Sequence, residues 1–171
     1  IWRQSEKRKI AQAAVELVNE GETILLDAGT TCYEIALRLK EFKRLTVVTN
    51  SLATAQTLAE NETLQTILIG GVVQSARRAT MGVLATQFLE PFRCDKAFVA
   101  FSGVDATNGF SVTDFDAAQI KRQMIKQARL IYAVADSSKI GQSSFARVAG
   151  LSEVNLLITD NGIVLEDRVA L

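Results

Sequence analysis

Residues 23–31, Thr-Ile-Leu-Leu-Asp-Ala-Gly-Thr-Thr, carry the residue types best suited to holding an anion. A short apolar run ends at Asp27, and Gly29, Thr30 and Thr31 then open a stretch with helical spacing. That order spells a strand, a tight glycine turn and a helix start. A helix start exposes unpaired N–H groups at the positive end of its dipole, so it attracts negative charge. Gly29 lets backbone and ligand approach closely, and two threonine hydroxyls add donors without adding charge. Phosphate is the anion that fits. A second role fits the same residues, with Thr30 as a simple helix cap.

Such a turn must be held between a strand and a helix, and the chain alternates the two throughout. Ile10, Ala13, Ala14, Leu17 and Val18 recur at helical spacing and Gly21 ends the run. Strand 23–26 is followed by a helix striped with Ile35, Ala36 and Leu39, then strand 46–48. Leu52, Ala55, Leu58 and Ala59 stripe the next helix, and strand 65–69 ends in Gly70-Gly71. A short helix over 82–89 precedes strand 96–100, a loop over 101–113, and helix 114–127 with an inner stripe of Ala117, Ile120 and Met124. Strand 130–135, loop 136–144 and strand 155–159 complete the reading. This alternation predicts an α/β fold: an open, mainly parallel sheet with helices on both faces, Rossmann-like in arrangement.

In such a sheet, ligands bind beyond the carboxyl ends of the strands. Here those ends carry Asp-Ala-Gly-Thr-Thr (27–31), Thr-Asn-Ser (49–51), Gly-Gly (70–71), Ser-Gly-Val-Asp (102–105) and Asp-Ser-Ser-Lys-Ile-Gly (136–141). One polar strand end means little, because loops are polar. Five together point to a site for a small polar ligand. The glycine turn matches neither the dinucleotide fingerprint nor the P-loop, which argues against NAD and ATP.

Composition narrows the chemistry further. The chain has 171 residues, 48% of them hydrophobic, which suffices for one well-buried core and one domain. Lys+Arg and Asp+Glu balance at 19 each, so no basic stripe advertises nucleic-acid binding in this piece. Histidine, the commonest general base and zinc ligand, is absent. Cys32 and Cys94 lie far apart without metal-ligand spacing and read as reduced thiols of a cytoplasmic protein. No apolar run approaches membrane-span length, which predicts no membrane contact. No catalytic residue, metal or cofactor is assigned. The chain starts at Ile1 without a methionine and ends soon after another element begins, so it reads as trimmed at both ends.

As an ordered set, these segments resemble the C-terminal effector-sensing domain of DeoR-type transcriptional regulators across nearly the whole chain. The resemblance runs through Lys-Arg-Lys-Ile-Ala (7–11), Leu-Asp-Ala-Gly-Thr-Thr (26–31), Val-Thr-Asn-Ser (48–51), Ile-Gly-Gly (69–71) and Met-Gly (81–82). It continues through Ser-Gly-Val-Asp (102–105), Asp-Phe-Asp (114–116), Lys-Arg-Gln-Met-Ile (121–125) and Ala-Asp-Ser-Ser-Lys-Ile-Gly (135–141). It implies a fold similar to ribose-5-phosphate isomerase and a phosphorylated sugar or related metabolite as effector. It also implies a repressor whose DNA contact lies in an N-terminal winged helix-turn-helix absent from this chain.

The resemblance assigns roles residue by residue. Gly29, Thr30 and Thr31 match the anion loop. Asp27 either accepts hydrogen bonds from sugar hydroxyls and loop N–H groups or simply fixes the turn. Thr49, Asn50 and Ser51 fit ligand contact, Asn50 best, with capping of the next helix as the rival role. Gly70 and Gly71 would admit a ligand by lacking side chains, and Gly103 is a further candidate for ligand contact. Asp105, Asp114 and Asp116 are candidate hydroxyl acceptors, and Asp114 has a rival role as helix N-cap. Lys139 becomes the charge partner of the phosphate. Arg77 and Arg78 lie in a loop after the double glycine; closing over an anionic ligand is one role for them, and the favoured one is as surface arginines. Cys32 and Met124 read as packing residues.

The alternative is an aldose–ketose isomerase, which needs a positioned carboxylate base. The isomerase pattern has an acidic residue where this chain has Ser102, and a glutamate on the next helix. Helix 114–127 has none, with Gln119 in that neighbourhood. Self-association is expected, with the first helix and helix 114–127 as candidate surfaces.

Overall fold

The computed structural model describes residues 2–164. Helix α1 (Gln4–Val15) leads into β1 (Thr23–Leu26), after which α2 (Thr30–Leu39), β2 (Thr46–Thr49), α3 (Leu52–Leu58) and β3 (Gln65–Leu68) alternate. A hairpin of β4 (Val72–Gln74) and β5 (Ala79–Met81) precedes α4 (Val83–Leu89) and β6 (Cys94–Ala100). A second hairpin, β7 (Gly103–Asp105) and β8 (Gly109–Val112), precedes α5 (Phe115–Lys126) and β9 (Ala128–Val134). β10 (Ala146–Ala149) and β11 (Leu156–Ile158) follow.

Six of these strands form one parallel sheet in the order β11–β9–β6–β1–β2–β3. Strands covered on both faces must be apolar at successive positions, and β1 is: Ile24, Leu25 and Leu26 are all fully buried. Ile24 and Leu26 pack with Val47, Phe98 and Val134 against Ile10, Ala14, Ile35 and Leu39 of α1 and α2. Leu25 faces the other way, with Val48, Ala97 and Val99, toward Ala85 and Leu89 of α4 and Ile120 and Met124 of α5. The predicted two-faced parallel architecture is therefore the one observed.

The loop expected over 101–113 is a correction. It holds β7 and β8, which pair antiparallel and join β10 in a small separate sheet. The Gly, Asp and Asn residues there belong to the hairpin turn, while Val104, Phe110 and Val112 turn inward to the core. The β4–β5 hairpin likewise lies in a stretch read as loop. Gly71, at φ +146°, lets it pass hard against α4, because an added Cβ would lie 2.8 Å from Ala85 Cβ. In segment 136–144, Ser137–Lys139 form a single 3-10 turn. The further element expected beyond residue 164 lies outside the described residues.

One buried ion pair ties the layers together. Asp27, at the carboxyl end of β1, is 1% exposed. Its Oδ1 accepts from Ala28 N–H at 2.8 Å and its Oδ2 from Ala100 N–H at 3.0 Å, which joins β1 to β6. The Lys121 ammonium of α5 pairs with the same Oδ2. Removing one member of a buried pair strands the other and costs about 3–5 kcal/mol. Lys121→Met is therefore expected to lower unfolding free energy by that amount in urea titrations. A loss under about 1 kcal/mol would mean that the backbone N–H groups alone satisfy Asp27.

Candidate functional site: an uncapped helix start at the sheet's switch point

Strand order fixes where a ligand can enter. From β1 the chain crosses to β2 on one side, while β6 continues to β9 on the other. The carboxyl ends of β1 and β6 therefore diverge at a topological switch point, where open α/β sheets form their crevices. A cavity of about 250 Å³ lies there. Gly29, Thr30 and Thr31 line it from the β1 end, Phe101 and Ser102 from the β6 end, and Asp136 and Lys139 from the β9 end. Lys121, Arg77, Trp2 and Lys7 complete the walls. A second recess of about 240 Å³ shares Ala28, Gly29, Thr30, Arg77 and Lys121 and reaches Asp27.

The start of α2 faces this cavity without a side-chain cap. Gly29, not Thr30, occupies the N-cap position, at φ +133° and ψ 162°. An added Cβ would meet only Ala100 Cβ, at an ordinary 3.8 Å, so it is the backbone angle that demands glycine. With no oxygen supplied by the protein, the first N–H groups of the helix are left for solvent or an anion. Thr30 is exposed and Thr31 buried, so the two hydroxyl-bearing residues line the cavity at different depths.

Around this helix start the charges are mostly positive. Lys7 and Lys121 are buried, Lys139 is half-buried and Arg77 is exposed. Among the described residues, Lys7, Arg77 and Lys139 make no ion pair with a carboxylate. Asp136 is the one carboxylate in the wall of the first cavity. It accepts from Ser138 N–H at 3.1 Å, and Arg3 Nε lies 3.3 Å from its Oδ1. Arg3 also reaches Ser137 Oγ at 2.7 Å and Asp160 Oδ2 at 3.3 Å. Burial pushes the Asp160 carboxyl upward, but hydrogen bonds from Ser137 and Gly162, aided by Arg3, hold it below the usual carboxylate range. Burial, reinforced by the Asp27 charge, pushes the Cys32 thiol well up, so this cysteine is no nucleophile.

The structure brings together Gly29, Thr30, Thr31 and Lys139, with Asp27 beneath them. The other candidates are set apart from this cavity. Asn50 is fully buried; its Oδ1 accepts from Ala28 N–H at 3.0 Å and its Nδ2 donates to the Thr80 carbonyl at 3.2 Å. It braces the turn that bears Gly29. Thr49 Oγ1 accepts from Ser51 N–H, and Ser51 Oγ caps α3 at Thr54 N–H. Ser51 borders a neighbouring groove between α2 and α3, together with Arg77 and Arg78. Gly70 and Gly71 lie against Phe88 and Ala85 of α4. An added Cβ at Gly103 would collide with the Gln142 carbonyl. Asp105 Oδ1 closes its own hairpin turn on Thr107 and Asn108, Asp114 caps α5, and Asp116 shares a separate recess with Gly82 and Val83 at the head of α4.

Sequence reasoning missed Lys121 and Lys7, and it set Arg77 aside as a surface residue although that arginine lines the cavity. For the two lysines a signal was present. Lys121 lies four residues after Ala117 and three before Met124, within the apolar stripe of α5. Lys7 lies three residues before Ile10 and seven before Ala14, on the buried face of α1. A lysine on the buried face of an amphipathic helix needs a partner or a pocket. Among the described residues, no group of three or more His, Cys, Asp or Glu side chains is placed to hold a metal ion. Nor is any helix there long and apolar enough to cross a membrane.

Known proteins resemble this chain in sequence and in fold. The chain is 36% identical over 155 residues to the HTH-type transcriptional repressor GlcR of Bacillus subtilis, covering 91% of this chain and 59% of that protein. It is 32% identical over 155 residues to the glycerol-3-phosphate regulon repressor of Escherichia coli, covering 91% and 62% respectively. The chain thus spans about three fifths of these relatives. The structure of ribose 5-phosphate isomerase A from Methanocaldococcus jannaschii superposes with a TM-score of 0.55 at 20% identity, over 78% of this chain and 52% of that one, which is a likeness of fold. Residues 2–161 match the family described as the DeoR C terminal sensor domain. With the repressor relatives above 30% identity, that match identifies the chain as a member of the DeoR family, in its sensor domain.

Proposed function

We propose that this domain binds a phosphorylated sugar or related metabolite at the start of α2. The single observation that carries the reading is an uncapped helix start facing a cavity walled by Lys7, Lys121, Lys139 and Arg77. The phosphate sits on the Thr30 and Thr31 amides with the Lys139 ammonium as its charge partner. The cavity, about 250 Å³, falls just below the roughly 300–1,000 Å³ of drug-sized sites, which suits a small polar ligand. In the whole regulator, effector binding controls DNA binding by a winged helix-turn-helix domain that precedes this one. The names of the repressor relatives support that arrangement. Repressor action and a cytoplasmic location belong to the same proposal. So does self-association, which the outward apolar face of α4, with Val83, Leu84 and Phe88 exposed, supports.

Homologues of this chain are transcriptional regulators. A domain that senses without catalysis also suits the carboxylates near the cavity. Isomerisation needs a free carboxylate base to move a proton between adjacent carbons. Asp27 is taken up by two N–H groups and Lys121, and Asp136 by Ser138 and Arg3. Ser102 lines the cavity where an acid would be needed, and Gln119 lies exposed on α5 outside it.

Calorimetry tests the reading. A phosphorylated sugar such as ribose 5-phosphate is expected to bind, and its parent sugar far more weakly. Lys139→Ala is expected to weaken binding about ten- to a hundredfold by removing a charge-assisted hydrogen bond. Thr30→Ala removes one neutral donor and is expected to cost less. Equal affinity for sugar and sugar phosphate would overturn the phosphate site.

NMR of aldose and ketose phosphates incubated with the protein tests the absence of catalysis. No interconversion is expected, and turnover of about 1 s⁻¹ or faster, normal for an enzyme, would contradict the sensing role.

A further inference from the structure

The wall of the cavity opposite α2 comes from the N-terminal end of the described chain. Trp2 lines the cavity, and its ring lies 5.7 Å from Lys139 Nζ. The backbone carbonyl of Trp2 accepts a hydrogen bond from Lys7 Nζ at 2.9 Å. Two cations of the cavity are thus engaged by one residue, one through its ring and one through its carbonyl. Neither engagement neutralises a charge. A lysine over an aromatic face is attracted only by the ring quadrupole, and a carbonyl is a neutral acceptor.

The turn that carries Trp2 is itself strained. Arg3, the next residue, sits at φ 53° and ψ 41°, a left-handed conformation that a non-glycine residue rarely adopts. Its guanidinium lies 5.6 Å from the Trp2 ring and is anchored to Ser137 beyond β9 and Asp160 beyond β11. Its Nε faces Asp136 at 3.3 Å as an ion pair yet has no hydrogen-bond partner. The junction is therefore pinned to the same 136–139 segment that carries Lys139, and its contacts through Trp2 with Lys139 and Lys7 are the ones that an anion in the cavity can displace.

We infer that Trp2 and the bound anion compete for Lys139 and Lys7, so that effector binding releases Trp2 at the head of α1 while Arg3 keeps its ion pairs. The inference rests on the phosphate site proposed above and supplies its regulation. A phosphate offers both ammonium groups a charged acceptor in place of a ring and a carbonyl. The differential affinity needed to shift a two-state element arises from that exchange. Whatever domain precedes Trp2 in a whole regulator is joined through this turn, so its orientation follows the occupancy of the cavity. By reciprocity, weakening the hold of the junction on the lysines tightens effector binding.

Trp2 is the sole tryptophan of the chain, so its fluorescence reports on this junction alone. The full 171-residue chain is titrated with ribose 5-phosphate and with inorganic phosphate, and binding is followed independently by calorimetry. Trp2 emission and its quenching by acrylamide are expected to change with the calorimetric isotherm. Trp2→Ala is expected to bind the probe about two- to fivefold more tightly, the value of an exposed cation–π contact, while Trp2→Phe stays near the parent. Circular dichroism of each variant checks that the fold is kept. Calorimetric binding with unchanged Trp2 emission would overturn the inference and leave the phosphate site standing. Weaker or unaltered binding by Trp2→Ala would also overturn it, making Trp2 a ligand contact or a bystander. Absence of calorimetric binding by every probe would overturn the phosphate site and this inference with it.

Discussion

The Asp27 carboxylate is the point at which sheet, helices and cavity meet. It sits at the end of the central strand, out of water, and cannot stay charged there without donors. Three groups from three elements supply them: the Ala28 N–H that opens the turn, the Ala100 N–H at the end of β6, and the Lys121 ammonium of α5. Satisfying one buried charge therefore fixes how far β1 and β6 part, how the turn to α2 bends and where a lysine enters the crevice. The Asn50 amide completes the brace by accepting from Ala28 N–H and donating across to Thr80. With its turn held from below, α2 presents its first amides upward without a cap of its own.

The electrostatics follow from that brace. An acid at the foot of the cavity would repel an anion if it were free. Asp27 is not free, because Lys121 shares its position. The charges that remain near the helix start are Lys7, Lys139 and Arg77, with Asp136 turned toward Arg3. Asp160 belongs to the same balance. Its carboxyl is held below the usual range, so its stabilising contacts persist above the ordinary carboxylate pKa and fade as pH falls through the lowered value. The Arg3 anchor therefore holds at neutral pH.

Much of this was legible in the sequence. The apolar run 23–26 between a glycine stop and Asp27 read as a buried parallel strand, and Gly29-Thr30-Thr31 read as an exposed helix start. Both depend on local patterning, which one chain displays. The small antiparallel sheet was not legible, because β7 and β8 are short and their Asp, Asn and Gly residues look like loop. The pairing of β8 with β10 joins residues more than thirty positions apart. Asn50 and Thr49 read as ligand contacts, yet their polar groups are spent on the backbone, a distinction that depends on which way a side chain points. Lys121 and Lys7 were legible in principle as charges on buried helix faces. Trp2 was not, since nothing in its spacing indicates that the head of α1 folds over the ends of β6 and β9.

In the proposed complex the free amides at the start of α2 receive the phosphate. The most direct measurement is an amide NMR titration of the ¹⁵N-labelled chain with inorganic phosphate and with ribose 5-phosphate. The account predicts saturable downfield shifts of the Thr30 and Thr31 amide protons, as expected for N–H groups that gain a charged acceptor. If the ligand binds while those two amides stay unmoved, the anion sits elsewhere and the account is contradicted.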